Sequence, residues 1–285
     1  MRVQIMGAGA LGSLVGALIQ LAGYEVVFVA RGKQLEALRK RLIVSGLKSF
    51  ELEVYATDKP EDADVTFVTV KAYDTEEAAK VLSSVDAGVV CSLQNGIGNE
   101  EVLAKFFENV VGGVTSYAAN LADYGHVVFA GEGFTFVGDY KGRGAEDVAK
   151  VLNEAGIRTE VVEDIERRIW VKAAINAAIN PITALCRVRN GAVASPPLWH
   201  VAKMVGEECK EVLAALGYEF DVEEIRQVAE ATAENRSSML QDVEKGKRTE
   251  VDYINGAFVK KGEELGIDCV ANRILWLLVR GVGSG

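Results

Sequence analysis

The chain has 285 residues, with 31 Lys plus Arg against 41 Asp plus Glu and a formal net charge of −10. At about 150 residues per domain this suggests two domains, and 49% hydrophobic residues supply two cores without disulfide or metal staples. The acidic balance argues against nucleic acid and anionic membrane as partners, because it repels phosphate at long range, but it leaves room for a local basic pocket.

Cys91, Cys186, Cys209 and Cys269 form no CxxC or Cys/His cluster. No metal site is therefore expected, and a reduced cytoplasmic chain is the simpler reading. With only His126 and His200 present, a general acid or base is expected among Lys, Glu and Asp. The apolar N-terminal stretch is broken by Gly7, Gly9, Gly12 and Gly16, unlike a signal peptide. No run of about 18 uninterrupted apolar residues calls for a membrane span.

In chain order, Val3–Met6, Glu25–Ala30, Val65–Val70 and Gly88–Leu93 read as short buried strands, with Leu11–Ala22 and Glu76–Leu82 as intervening helices. This alternation predicts a parallel sheet with helices on both faces. Leu42–Tyr55 reads as a hairpin around Ser45–Gly46, inserted at the side. Val110–Tyr117, His126–Ala130 and Thr135–Val137 read as further strands. A helix over Gly144–Ala155 and a strand over Arg158–Val162 complete this half. The pattern then becomes helical. Arg168–Ile179, Leu198–Leu216, Val222–Ala233, Val251–Leu265 and Asn272–Val279 carry apolar stripes of period 3.6. The expected fold is thus α/β, a Rossmann-type doubly wound sheet over 1–163 followed by an all-helical domain over 164–285, with a cleft between them.

Gly7-Ala8-Gly9-Ala10-Leu11-Gly12 is a GxGxxG at the first strand-to-helix turn. Gly7 suits the tight turn, Gly9 a close approach of a pyrophosphate, and Gly12 the packing of helix on strand, with the helix N-terminus facing the phosphates. An NAD site usually has an acid after the second strand. Here Arg31-Gly32-Lys33 follows instead, and Glu25 is at the wrong end. Arg31 can fork onto a 2′-phosphate, so NADP(H) is favoured, with NAD(H) tolerated by stacking of Arg31 on adenine. Lys71 and Gln94-Asn95-Gly96 directly follow two other strands, at the edge where ligands lie in such sheets. Asn95 is read as a nicotinamide or ribose contact. Lys71 reads equally as a cation for phosphate or substrate and as plain surface.

In the helical half, Lys172, Asn176 and Asn180 stand at i, i+4 and i+8 among Ala and Ile. They form one line along a helix. Asn is a mediocre helix former, so such a line in an apolar helix points to a groove for a small ligand. Asn190-Gly191 follows in a turn. Ser237–Asp242 and Thr249–Gly256 are also polar where a core helix would be apolar.

Taken together, these residues resemble the ketopantoate reductase family. The resemblance rests on GAGALG, Arg31, VKAYDT at Val70–Thr75, SLQNGIGNE at Ser92–Glu100 and KAAINAAINPITAL at Lys172–Leu185. It continues through RNG at Arg189–Gly191 and SSMLQDVEKGKRTEVDYINGAFV at Ser237–Val259. It implies NADPH-dependent reduction of 2-dehydropantoate to pantoate, on the way to pantothenate and coenzyme A. It also implies Lys172 as the general acid, Asn176, Asn180, Asn190 and Ser238 as substrate-binding residues, and Glu250 between substrate and cofactor. Arg31, Lys71 and Asn95 become cofactor contacts. A strand through Val114–Asn120 is implied to touch the nicotinamide side with its backbone near Ala119. The loops around Cys186 and Asn120 depart from some relatives.

The expected chemistry is hydride addition to a C2 ketone, with Lys172 donating the proton, a role typically worth about 10²–10⁴-fold. The alternatives are a reductase of another small 2-oxo acid and a non-catalytic NADP(H) sensor. Leu198–Leu216 and Ile274–Val279 are apolar enough for a homodimer, although an internal core explains them equally well. Cys91 reads as a buried strand cysteine. The sharper alternative is an accessible thiolate able to form a mixed disulfide with coenzyme A, the thiol end product of the implied pathway.

Overall fold

The computed structural model describes residues 1–282. The chain divides into two units, one of Met1–Gln94 with Gly98–Glu166 and one of Asn95–Ile97 with the residues from Arg167 onward.

The first unit begins with β1 (Arg2–Met6), α1 (Ala10–Leu21), β2 (Glu25–Val29) and α2 (Gly32–Leu38). The short strands β3 (Leu42–Gly46), β4 (Phe50–Leu52) and β5 (Tyr55–Thr57) follow, then β6 (Val65–Val68), α3 (Thr75–Leu82), β7 (Val89–Ser92) and α4 (Asn99–Leu103). It finishes with β8 (Val110–Thr115), β9 (Ala118–Asp123), β10 (His126–Gly131), β11 (Thr135–Lys141), α5 (Ala145–Glu154) and β12 (Thr159–Val161). The main sheet has the order β12-β11-β8-β7-β6-β1-β2-β5. β1 pairs in parallel with both β2 and β6, so strand order reverses at β1. The loops leaving β1 and β6 therefore flank the switch point where ligands of doubly wound sheets bind.

Burial follows the period of 2. Val26 and Phe28 of β2 join a cluster with Leu14 and Leu18 of α1 and Val148 and Leu152 of α5. Val27 and Val29 join the opposite cluster, with Ala78, Ala79 and Leu82 of α3 and Leu103 of α4. Both faces of the sheet are thus covered, which explains why its strands read as continuous apolar runs. A Cβ at Gly16 would lie 2.4 Å from the Phe28 ring, so α1 sits on the sheet at a distance only glycine permits.

Two sequence expectations change here. The hairpin at residues 42–55 exists, but it turns after Gly46, and Tyr55 begins a separate strand at the edge of the main sheet. β3 and β4 instead build a second sheet, of order β4-β3-β10-β9. The implied strand through Val114–Asn120 is two strands in two sheets. It breaks at Ser116–Tyr117, where Ser116 Oγ accepts from the Phe134 backbone N–H and Tyr117 packs on Phe129. The segment after Arg31 is the helix α2.

The second unit is carried by α6 (Ile165–Cys186), α7 (Leu198–Ala215), α8 (Glu223–Ala231), α9 (Ser238–Glu244), α10 (Asn255–Leu265) and α11 (Val270–Val282). The helix expected over Arg168–Ile179 runs on through Pro181 to Cys186. The stretch read as one helix from Val251 starts as a 3₁₀ turn, Val251–Tyr253, and breaks at Ile254 before α10. By length and composition α6 could cross a membrane, but 67% of its apolar window is buried within the fold, as in the core helix of a bundle. Its alanines Ala173, Ala174, Ala177 and Ala178 are among the most buried residues of this unit.

Candidate active site

The glycine turn is built by the strands around it. Gly7 and Ala8 donate their N–H groups to the Val29 carbonyl at 3.1 and 3.3 Å. Gly7 has φ +104°, and a Cβ there would meet Val70 N at 2.7 Å. A Cβ on Gly12 would lie 2.4 Å from both the Gly7 carbonyl and Thr69 Oγ1. Gly9 is different: nothing lies within 4 Å of its Cβ position. Two of the glycines thus serve the fold, whereas Gly9 leaves open the space that a phosphate needs. No side chain caps α1 at Gly9, which leaves the N–H groups of its first turn, among them those of Ala10 and Leu11, for a ligand at this helix N-terminus. This cradle fits a dinucleotide pyrophosphate.

Arg31 follows β2 and begins α2 as its N-cap. Its guanidinium is exposed and pairs with Glu77 of α3 at 2.8 Å. Lys71 follows β6, and its carbonyl accepts from the Asp74 N–H at 2.8 Å. Both cations thus leave the strands adjoining β1 at the same edge. Ala119 lies in β9, paired with Phe129 of β10, on the smaller sheet. Cys91 sits inside β7 at 0% exposure, and burial raises its thiol well above the usual range. It is a core residue, and the accessible thiolate of the sharper reading is absent.

In the second unit α6 carries Lys172, Asn176 and Asn180 at successive turns. Lys172 and Asn176 are partly exposed, whereas Asn180 is buried. Thr183 binds the Asn180 carbonyl at 2.9 Å and shares a 2.7 Å bond with Ser237. Ser237 caps α9 by accepting from Leu240 N, and Ser238 is the first residue of that helix. Asn190 donates to Thr232 at 3.0 Å, while its buried Oδ1 lacks a protein partner.

Glu250 is 6% exposed and immediately precedes the 3₁₀ turn. Onto that turn is fastened the segment bearing Asn95: Ile97 N donates to the Tyr253 carbonyl at 2.8 Å. Gly96 has φ +88°, and a Cβ there would meet Tyr253 at 2.8 Å. Asn95, two residues beyond Leu93, thus opens the short segment that packs with the turn after Glu250. The turn is braced from α11, where Trp276 Nε1 donates to Asp252 at 2.7 Å.

The sequence assigns no role to the residues that hold these parts. Thr69 Oγ1 donates to the Gly7 carbonyl at 2.7 Å, and Gln34 Nε2 to the Ala8 carbonyl at 2.8 Å. Gln94 Nε2 bonds the Val70 carbonyl and Thr75, and Thr75 bonds Asn99. None stands in a periodic pattern. The only local signal was the polar Gln94 closing an apolar strand.

A family model described as ketopantoate reductase PanE/ApbA matches residues 3–142, and its C-terminal companion matches residues 164–283. The chain belongs to the ketopantoate reductase family. The 2-dehydropantoate 2-reductase of Archaeoglobus fulgidus is 71% identical, over 100% of this chain and 98% of its own. The crystal structure of a PanE/ApbA family ketopantoate reductase from Ralstonia eutropha superposes with a TM-score of 0.92 at 32% identity, covering 99% and 98% of the two chains. D-mandelate dehydrogenase, solved with NADH and anilino(oxo)acetate, gives 0.93 at 26% identity, covering 99% and 98%. Ketopantoate reductase membership thus extends over both units, the glycine cradle and the Lys-Asn-Asn helix alike.

Proposed function

We propose that the protein is an NADP(H)-dependent 2-dehydropantoate 2-reductase, an oxidoreductase of pantothenate biosynthesis. The observation that carries this reading is the 71% identity to the Archaeoglobus enzyme across the whole chain. When bound, the reduced dinucleotide supplies the hydride that adds to the C2 ketone. The roles of the side chains are those the family resemblance implies, and their chemistry suits them. The Gly7–Gly12 cradle and the α1 N-terminus take the pyrophosphate. Arg31 and Lys71 take the 2′-phosphate end, while Asn95 and the backbone near Ala119 attend the nicotinamide end. Lys172 donates a proton to the carbonyl oxygen as negative charge develops there. Glu250 orients that ammonium or accepts a substrate hydroxyl. Asn176, Asn180, Asn190 and Ser238 both donate and accept, so they hold carboxylate and hydroxyl together.

In this reading residues 1–163 form the dinucleotide unit and 164–285 the substrate unit, with Asn95 contributed to the second. The partner is a small 2-oxo acid, in a cytoplasmic setting that suits the free cysteines. Ile274, Leu277 and Leu278 of α11 are 52%, 56% and 52% exposed, and Met204 of α7 is 61% exposed. This apolar surface suits a homodimer, which light scattering would reveal as twice the 30.6 kDa chain mass. The likeness to a D-mandelate dehydrogenase favours one second reading, reduction of a bulkier 2-oxo acid. NADPH oxidation followed at the nicotinamide absorbance, with ketopantoate and a panel of 2-oxo acids including aryl ones, tests both. Ketopantoate should give the highest kcat/KM.

A further inference from the structure

α6 continues without interruption through Pro181. In an α-helix the N–H of residue 181 would bond the carbonyl of Ala177, and proline has no N–H to give. Ala177 is 0% exposed, so water cannot take the place of that donor. A different residue does: Asn255 Nδ2 reaches the Ala177 carbonyl at 2.9 Å. Asn255 is itself fully buried and is the first residue of α10, five positions after Glu250.

The same amide nitrogen donates its second hydrogen to Asn272 Oδ1 at 3.1 Å. Asn272 in turn donates from Nδ2 to Glu208 Oε2 at 2.9 Å, and Glu208 also accepts the backbone N–H groups of Ala271 and Asn272. A chain of hydrogen bonds thus runs from the half-buried Glu208 of α7 through the buried Asn272 of α11 and Asn255 of α10 to α6. Asn255 Oδ1 has no protein partner, and turning the carboxamide over would set that oxygen against the Ala177 carbonyl. Its orientation is therefore dictated by its two acceptors.

Ala177 lies between Asn176 and Asn180, within the polar line of α6, and Asn255 lies at the end of the segment that begins with Glu250. We propose that Asn255 is a positioning residue for the reductase site. Its side-chain amide replaces the N–H missing at Pro181 and so fixes the Lys172-Asn176-Asn180 line against the Glu250 turn. This rests on the function proposed above. Buried amides usually serve only the fold, so the test must separate position from stability.

Four proteins do this: wild type, Asn255→Ala, Pro181→Ala and the double variant. Each is measured for melting temperature, for kcat and KM with the 2-oxo acid, and for KM with NADPH. Asn255→Ala should lose at least about tenfold in kcat/KM for the oxo acid, with KM for NADPH within twofold. In the double variant the alanine introduced by Pro181→Ala gives its own backbone N–H to the Ala177 carbonyl. Its kcat/KM should recover to within about threefold of Pro181→Ala alone, and its melting temperature should rise above that of Asn255→Ala. A fall in melting temperature with unchanged kcat/KM overturns the proposal, as does a double variant that shows the full loss. If Asn255→Ala does not fold, the two Pro181→Ala backgrounds decide: a double variant that is also unfolded, or is tenfold less active than its parent, overturns it. A wild type inactive with every 2-oxo acid refutes the proposed reaction instead, a separate outcome.

Discussion

Thr69 Oγ1 donates to the Gly7 carbonyl at 2.7 Å, binding the loop after β6 to the glycine turn after β1. The two loops of the switch point are one hydrogen-bonded piece. Gly12 presses on both of these atoms, whereas Gly9 faces open space.

The two glycines should therefore fail differently. Gly12→Ala places a methyl 2.4 Å from the Gly7 carbonyl and should cost about 1–3 kcal/mol, as overpacking does. Gly9→Ala should leave stability within about 1 kcal/mol yet raise the NADPH KM at least about tenfold by filling the cradle. Thermal denaturation beside cofactor titration separates them, and a Gly9→Ala protein with normal KM would remove the cradle from cofactor binding.

Lys172→Ala should lower kcat by at least about 10²-fold in a folded protein, the usual scale for one lost proton donor. Circular dichroism establishes the fold, and near-normal turnover would exclude Lys172 as the acid.

Arg31 and Glu77 pair at 2.8 Å with side chains 63% and 62% exposed. A pair so solvated is worth about 0–1 kcal/mol, so a 2′-phosphate can displace Glu77 at little cost. Arg31→Ala should raise KM for NADPH far more than for NADH. Glu77→Gln should lower KM for NADPH by releasing Arg31. An unchanged ratio of the two cofactors in Arg31→Ala would assign the 2′-phosphate to other residues.

Burial pushes the thiols of Cys91 and Cys209 up, and that of Cys269 up to about 11. An unfolded cysteine ionises near about 8.5. The stability these neutral thiols contribute is complete below that pH and is lost as pH rises through the interval towards the folded values. Melting temperature should decline from about pH 8.5 upward, less steeply in Cys269→Ala. Oxidised coenzyme A should leave the native mass unchanged at Cys91. An adduct that disappears in Cys91→Ser would reveal an opening of β7 that the fold does not display.

The alternation of short apolar runs with helical stripes made the parallel sheet legible, since strands buried on both faces must be apolar throughout. The Lys172-Asn176-Asn180 line was equally plain, because its spacing is that of the helix itself. The second sheet was not legible. Its pairing of β3 with β10 joins Ile43 to His126, and nothing local in either segment encodes a partner so distant in the chain. The continuation of α6 past Pro181 was missed for a similar reason: local propensity ends a helix near proline, and the compensating donor lies at Asn255.

Sequence alone determined which residue types stand where periodicity or a tight turn demands them: the glycines after β1, the cation after β2 and the polar line on an apolar helix. Only the tertiary structure decided which glycine faces open space, that Arg31 pairs with Glu77, that Asn95 is fastened to the turn after Glu250, and that Cys91 is sealed within β7. These are relations between segments far apart in the chain. They depend on hydrogen bonds and close contacts that exist only once the sheet has twisted and the helices have packed, and no pattern within a single segment carries them.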